Sequence, residues 1–250
     1  MKTVLVTGGS RGLGKSMALF LAQKGFDVII TYQTSEQEAF KVVREIETYG
    51  RKSAALQLDV SKSGSFLEFS EKLTSLLRTI WQKEHFDILI NNAGIGINKA
   101  FDQTSEEEFD TLMNIQLKGP FFLTQTLLPL IADGGKILNI STGLTRFSIP
   151  GYAAYAMMKG GIEVLTHYLA LELGKRRISV NVVAPGAIET DFAGGVNRDN
   201  PKVNEFIASQ IALGRVGLPE DIGAAVSLLV SDDATWINGQ RIEVSGGMRL

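Results

Sequence analysis

Short runs of β-branched and aliphatic residues alternate along the chain with longer segments of helical period. Residues 3–7 predict a first strand, and 13–24 a helix stopped by Gly25. A strand at 28–32 follows, then a helix from a Ser35 cap to residue 49, with Glu38 placed to complete a capping box and Gly50 ending it. Residues 54–58 read as a third strand, 63–83 as a long helix and 86–90 as a fourth strand. Ser105 caps the next helix, whose first turn holds Glu106, Glu107 and Glu108, where the helix dipole favours anions. That helix runs toward residue 131, with bends or a break expected at Pro120 and Pro129. Gly134-Gly135 reads as a turn, 136–140 as a strand, 152–173 as a helix and 178–183 as a strand. Residues 187–217 look loop-rich, Pro219 opens a helix to about 230, and 241–244 is a last short strand.

Unbroken strand–helix alternation implies an α/β, doubly wound parallel sheet of about seven strands with helices on both faces. The uniformly apolar Ile88-Leu89-Ile90 fits a strand covered on both sides. With 250 residues, no composition shift and no repeat, the expectation is a single domain over 1–250.

Composition narrows the chemistry. There is no cysteine, so disulfides, thiolate metal sites and a cysteine nucleophile are excluded. The formal charge of −2 gives no electrostatic case for nucleic acid. The N-terminal apolar run is too short for a signal peptide, and no stretch reaches the roughly 20 apolar residues of a membrane span. A cytoplasmic protein is expected. No cluster has metal-ligand spacing, and His85 and His167 look uninvolved, so no metal is expected.

The first predicted strand runs into Thr7-Gly8-Gly9-Ser10-Arg11-Gly12-Leu13-Gly14, with a helix starting inside the run. Glycines there let the backbone approach a pyrophosphate, and unpaired N–H groups at a helix start hold an anion. Further along stand Asp59-Val60 after the third strand, Asn91-Asn92-Ala93-Gly94 after the fourth, Tyr155-Ala156-Met157-Met158-Lys159 in a helix, Pro185-Gly186 after the sixth strand, and Gly239 and Gly246-Gly247 near the end. Tyr155 and Lys159, four apart on a helix, share one face. A nearby ammonium lowers a phenol's pKa, which equips the tyrosine to give or take a proton at a carbonyl or alcohol oxygen.

In this order and spacing the motifs resemble the short-chain dehydrogenase/reductase family over essentially the whole chain, and most of all its 3-oxoacyl-[acyl-carrier-protein] reductase-like members. The resemblance implies a nicotinamide-dependent oxidoreductase interconverting a carbonyl and a secondary alcohol by hydride transfer. It implies Tyr155 as general acid/base, Lys159 as its partner and Asn114 as the holder of a water linking that lysine to solvent. The family's serine thirteen positions before the tyrosine is here Thr142, which keeps the hydroxyl but stiffens χ1, with Ser141 in reserve. Cofactor contacts are implied for Thr7, Gly8, Ser10, Arg11, Gly12, Leu13, Gly14, Asp59, Val60, Asn91, Ala93, Gly94, Tyr155, Lys159, Pro185, Gly186, Ile188 and Thr190. Ile95, Leu144, Tyr152, Phe192 and Thr142 would border the substrate, with 187–217 as the substrate loop.

An acid closing the second strand would bind the adenosine ribose and favour NAD. This strand ends in Thr31-Tyr32-Gln33-Thr34, and Asp27 comes too early. Arg11 could meet a 2′-phosphate, so NADP(H) is expected, with NAD usable. The partner is a small carbonyl or alcohol, free or carrier-linked. Lys175-Arg176-Arg177 could greet an acidic carrier, but its position at a helix C-terminus explains it as well. A homotetramer is implied, with apolar surface around Phe121-Phe122, residues 165–169 and residues 236–248. A non-catalytic dinucleotide sensor is the rival reading, favoured only by the replaced serine.

Overall fold

A computed structural model describes residues 1–250, except the side chain at position 193. Seven parallel strands form one sheet in the order β3-β2-β1-β4-β5-β6-β7. They are β1 (Thr3–Val6), β2 (Asp27–Tyr32), β3 (Ser53–Gln57), β4 (Phe86–Asn91), β5 (Ile131–Ile140), β6 (Ser179–Pro185) and β7 (Arg241–Val244). Between them run α1 (Gly12–Gln23), α2 (Glu36–Thr48), α3 (Phe66–Leu76), α4 (Glu106–Met113), α5 (Gly119–Leu127), α6 (Ala153–Glu172), α7 (Val196–Asp199), α8 (Pro201–Ala208) and α9 (Pro219–Leu229).

Strand side chains alternate between two cores. Val4, Val6, Val28 and Ile30 face Met17 and Leu21 of α1, Val42 and Ile46 of α2, and Ile222 and Val226 of α9. Leu5, Ile29, Leu89 and Ile137 face Phe69 and Leu73 of α3, Leu123 and Leu127 of α5, and Ala170 of α6. Sequence order reverses at β1, which lies between β2 and β4, so a crevice opens past the carboxyl ends of β1 and β4.

Several elements depart from expectation. The Ser35–Glu38 capping box does not form: Ser35 makes no cap, Lys41 holds Glu38, and the Tyr32 hydroxyl donates to Glu36 at 2.9 Å. The stretch 63–83 is not one helix. A tight turn at Ser63–Ser65 leads into α3, and a wide turn at Leu77–Trp81 follows, closed by left-handed Gln82. Trp81 is anchored there by its indole N–H to Asp27 at 3.0 Å. Ser105 and Glu108 form a reciprocal capping box at α4. The break expected at Pro120 is a π-turn, Asn114–Lys118, joining α4 to α5. Proline supplies no N–H at this point, and the Gly119 N–H bonds the Asn114 carbonyl instead. Gly134-Gly135 lies in an excursion inside β5, between the pairings Phe86↔Ile131 and Ile88↔Lys136. The region 187–217 is less loop-like than expected, since it carries α7 and α8; an Asn200 cap and Pro201 start the latter.

Candidate active site

The crevice rim begins where β1 ends. Gly8 turns left-handed at φ 66° and its N–H reaches the Thr31 hydroxyl at 3.1 Å; the Gly9 N–H reaches the Thr31 carbonyl at 2.9 Å. A Cβ on Gly9 would lie 2.6 Å from Ile30, and one on Gly14 only 2.1 Å from the Gly8 carbonyl oxygen. The turn therefore folds back on its own helix with no room for side chains. Arg11, the N-cap of α1, offers no side-chain cap, and the first turn holds no acid. The α1 start thus meets the requirements of an anion site. Across the crevice, Thr190 lies 3.9 Å from where a Gly12 Cβ would sit. A pyrophosphate fits this cradle, with Ser10, Arg11, Gly12 and Leu13 at its lip.

Several side chains beside the crevice are engaged within the protein. The Thr7 hydroxyl lies 3.3 Å from the Ile90 carbonyl and accepts from the Asn92 and Ala93 N–H groups at 2.9 and 3.0 Å, so it ties β1 to β4. The Asn91 amide N–H₂ donates to Thr124 and Asn139 at 3.0 and 2.9 Å, inside the core. The Ile188 side chain packs in the first core. These three side chains support the crevice wall from within. The bracing by Asn92 and Thr31 is not apparent from the motifs in which they stand. Asn92 braces the glycine turn through the Thr7 carbonyl at 2.8 Å, and its sequence signal was its place beside Asn91.

Gly94 abuts Gln116, where a Cβ would meet Oε1 at 2.8 Å, and Gln116 donates to the Ile95 carbonyl. Gly186 packs on Ser245 and follows Pro185 at the end of β6, its N–H on the Val244 carbonyl at 3.0 Å. Asp59 is partly buried, which disfavours its charge, but hydrogen bonds from Ser61 and Gln33 outweigh this and hold its pKa down. Val60 follows it, its carbonyl lying 2.4 Å from where a Gly119 Cβ would sit, so the two backbones pass in contact.

α6 presents Tyr155 and Lys159, both nearly fully buried, with the lysine Nζ 5.9 Å from the tyrosine ring centroid. Nζ donates to the Ile140 carbonyl at 2.8 Å. Burial raises the Tyr155 pKa, and the Thr142 side chain opposes the rise. Burial lowers the Lys159 pKa to about 7. Ser141 and Thr142 diverge as strand neighbours should: the Ser141 hydroxyl donates to Glu163 at 2.6 Å, whereas Thr142 Oγ1 accepts from the Leu144 N–H at 3.3 Å. Asn114 opens the π-turn, half-buried, in the segment that packs on α6: Leu117 fills the space where a Gly161 Cβ would stand. The Phe192 ring lies 5.7 Å from that of Tyr155 and covers Gly96, whose Cβ would be 2.4 Å from it. The Tyr152 ring is 6.3 Å from Tyr155, and Leu144, Ile97, Phe109 and Met113 complete an apolar wall. Ile95 is exposed at the rim. Of the basic run 175–177, Arg176 is committed internally to Asp133 and the Leu128 carbonyl.

This crevice, phosphate cradle and Tyr–Lys pair define a dinucleotide-dependent oxidoreductase of the doubly wound class. A family model described as enoyl-(acyl carrier protein) reductase matches residues 8–249, and the chain belongs to the short-chain dehydrogenase/reductase family. The 3-oxoacyl-[acyl-carrier-protein] reductase of Staphylococcus epidermidis is 37% identical over 251 residues, covering 100% of this chain and 99% of its own. A hydroxynaphthalene reductase-like protein of Metarhizium brunneum is 34% identical over 257 residues, 98% of this chain and 94% of its own. Among solved structures, the angucycline C-6 ketoreductase LanV with bound NADP superposes with a TM-score of 0.94 at 36% identity, covering 99% of this chain and 95% of LanV. The protein is an NAD(P)-dependent oxidoreductase. Among the described residues, no helix is long and apolar enough to cross a membrane.

Proposed function

We propose that this enzyme reduces a small ketone with NADPH, using Tyr155 as the proton donor. The observation that carries the reading is the nearly buried Tyr155, one helical turn from Lys159 and walled by the rings of Phe192 and Tyr152. The nicotinamide, when bound, supplies the hydride. Thr142 and Tyr155 both donate to the substrate carbonyl oxygen, polarising it as negative charge develops. Tyr155 then gives its proton to that oxygen, and the Lys159 ammonium stabilises the tyrosinate left behind. In the oxidation direction the same pair takes the alcohol proton. Asn114 holds the water through which Lys159 exchanges its proton with solvent. Residues 8–14 hold the pyrophosphate, Asp59-Val60 the adenine, and residues 93–94, 185–186 and 190 line the nicotinamide half. NADPH is preferred because β2 ends at Tyr32 with Gln33-Thr34 following and no acid there, and Arg11 stands exposed at the α1 start.

A 3-oxoacyl group, free or carrier-linked, is the first substrate candidate, on the likeness to the bacterial reductase. The aromatic wall of Phe192 and Tyr152 beside Tyr155 favours a second, a flat ring ketone, and hydroxynaphthalene and angucycline reductases are among its relatives. The internal commitment of Arg176 removes one argument for an acidic carrier. Optical NADPH consumption with a 3-oxoacyl thioester and with a hydroxylated naphthalenone separates the two. A higher kcat/KM for the thioester assigns the acyl substrate, a higher value for the naphthalenone assigns the ring ketone, and turnover of neither defeats the reading. The assembly is proposed to be a homotetramer, supported by exposed Phe121, Phe122, Tyr168 and Trp236. A monomer in sedimentation at micromolar concentration would contradict that.

A further inference from the structure

One helical turn beyond Lys159, the same face of α6 carries Glu163, so Tyr155, Lys159 and Glu163 recur at four-residue spacing. Glu163 Oε1 lies 2.6 Å from the Ser141 hydroxyl, 2.7 Å from the Thr145 hydroxyl and 2.9 Å from Arg241 Nε. Arg241, at the start of β7, donates from Nη2 to the Thr142 carbonyl at 3.2 Å and to Thr145 Oγ1 at 3.2 Å. Its Nη1 reaches Glu243 at 3.0 Å, and Glu243 accepts two further bonds from Arg146 at 2.7 and 2.8 Å. Arg146 also holds the carbonyls of Met248 and Arg249. Four alternating charges therefore run from the chain end to the turn that bears Thr142.

That turn needs outside support. Thr142 is extended at φ −158°, ψ 155°, where β5 has ended and the tight turn Gly143–Thr145 begins. Threonine's χ1 is stiff, so the backbone sets where its hydroxyl points. The backbone is gripped on both sides: Lys159 holds the Ile140 carbonyl, the Ser141 N–H meets the Val183 carbonyl at 2.7 Å, and Arg241 holds the Thr142 carbonyl. Side-chain exposures of 22% for Arg241 and 16% for Glu163 leave the pair partly shielded from water, so removing one partner strands the other.

We propose that Glu163 and Arg241 are positioning residues that fix the Thr142–Thr145 turn and so aim the Thr142 hydroxyl at the reacting carbonyl. This rests on the role given above to Thr142. The test is steady-state ketone reduction by Glu163→Gln and Arg241→Lys, each alone and combined with Thr142→Ala, using the faster of the two ketones above. Gln keeps the shape of Glu163 without its charge, and a lysine at 241 cannot fork to Glu163, Glu243 and the Thr142 carbonyl together. Each single variant should lose about ten-fold in kcat, because small displacements of a catalytic group are costly, with both KM values within about two-fold. Added to Thr142→Ala, either should change kcat by less than about two-fold, since groups acting through one residue are not additive. Single-variant kcat within two-fold of the parent overturns the proposal. So does a full ten-fold further loss on the Thr142→Ala background, which assigns the pair to the fold alone. Undiminished kcat in Thr142→Ala by itself overturns the role of Thr142 and this proposal with it, and so marks the earlier reading as the one at fault. Thermal melts verify folding, and if Glu163→Gln does not fold, Arg241→Lys decides.

Discussion

Replacing Lys159 by methionine should make the protein more stable and nearly inactive. The side chain is 5% exposed, and burial moves its pKa from 10.5 to about 7. At 1.36 kcal/mol per unit, the folded state carries a penalty of up to about 5 kcal/mol for the protonated lysine. The lost bond from Nζ to the Ile140 carbonyl offsets about 1–2 kcal/mol. Methionine fills a similar volume, so a net gain of roughly 3 kcal/mol remains below pH 7, worth about 6–12 °C in a chain of this size. The direction with pH follows from proton counts. Between about 7 and 10.5 the unfolded chain holds the Lys159 proton and the folded one does not, so parent stability rises with pH across that window. The advantage of Lys159→Met is therefore full below pH 7 and fades toward pH 10. Cofactor-free thermal denaturation of both proteins in parallel, from pH 6 to 10, measures it. Ketone reduction should fall by about a thousand-fold in the variant, within the range for a proton-transfer assembly. A variant that melts below the parent at pH 6, or an offset that does not change with pH, refutes the burial argument.

Further outcomes follow from other residues. Gly14→Ala should abolish NADPH binding, measured by fluorescence titration, because its Cβ would lie 2.1 Å from the Gly8 oxygen and must open the phosphate turn. Wild-type affinity in that variant would show that the turn is not the cradle. Arg11→Ala should raise KM for NADPH about ten-fold and leave KM for NADH unchanged, since only the former has a 2′-phosphate to lose a charge-assisted contact. Equal shifts would sever Arg11 from cofactor choice. Phe192→Ala removes the ring packed on Tyr155 and Gly96, and should raise KM for the ring ketone several-fold more than for an acyclic one, read from steady-state kinetics.

The sheet was legible because its central strands, such as β1, β2 and β4, are largely apolar on both faces, so short runs stood out between helical periods. The glycine turn and the Tyr155–Lys159 spacing were equally open, since each depends on a local repeat. What escaped depends on distant partners. Glu163 looks like any helical glutamate until β7 brings Arg241 beside it, 78 residues away in sequence. The Thr7 and Asn91 side chains bond inward to β4 and α5, which a motif does not reveal because it fixes position and not side-chain direction. The Ser35 cap failed because Tyr32 drew Glu36 and Lys41 drew Glu38, a contest between neighbours that spacing does not resolve. Ser141 and Thr142 were separable only once α6 offered the Ser141 hydroxyl a carboxylate, while the Thr142 hydroxyl stayed with its own turn.

The central claim is that the Tyr155 hydroxyl delivers the proton to the reduced carbonyl, and Tyr155→Phe removes that oxygen while keeping the ring. Measured on one preparation, NADPH affinity should stay within about three-fold of the parent while single-turnover ketone reduction slows by about a thousand-fold or more. Reduction by Tyr155→Phe at the parent rate, with NADPH bound normally, would contradict the account.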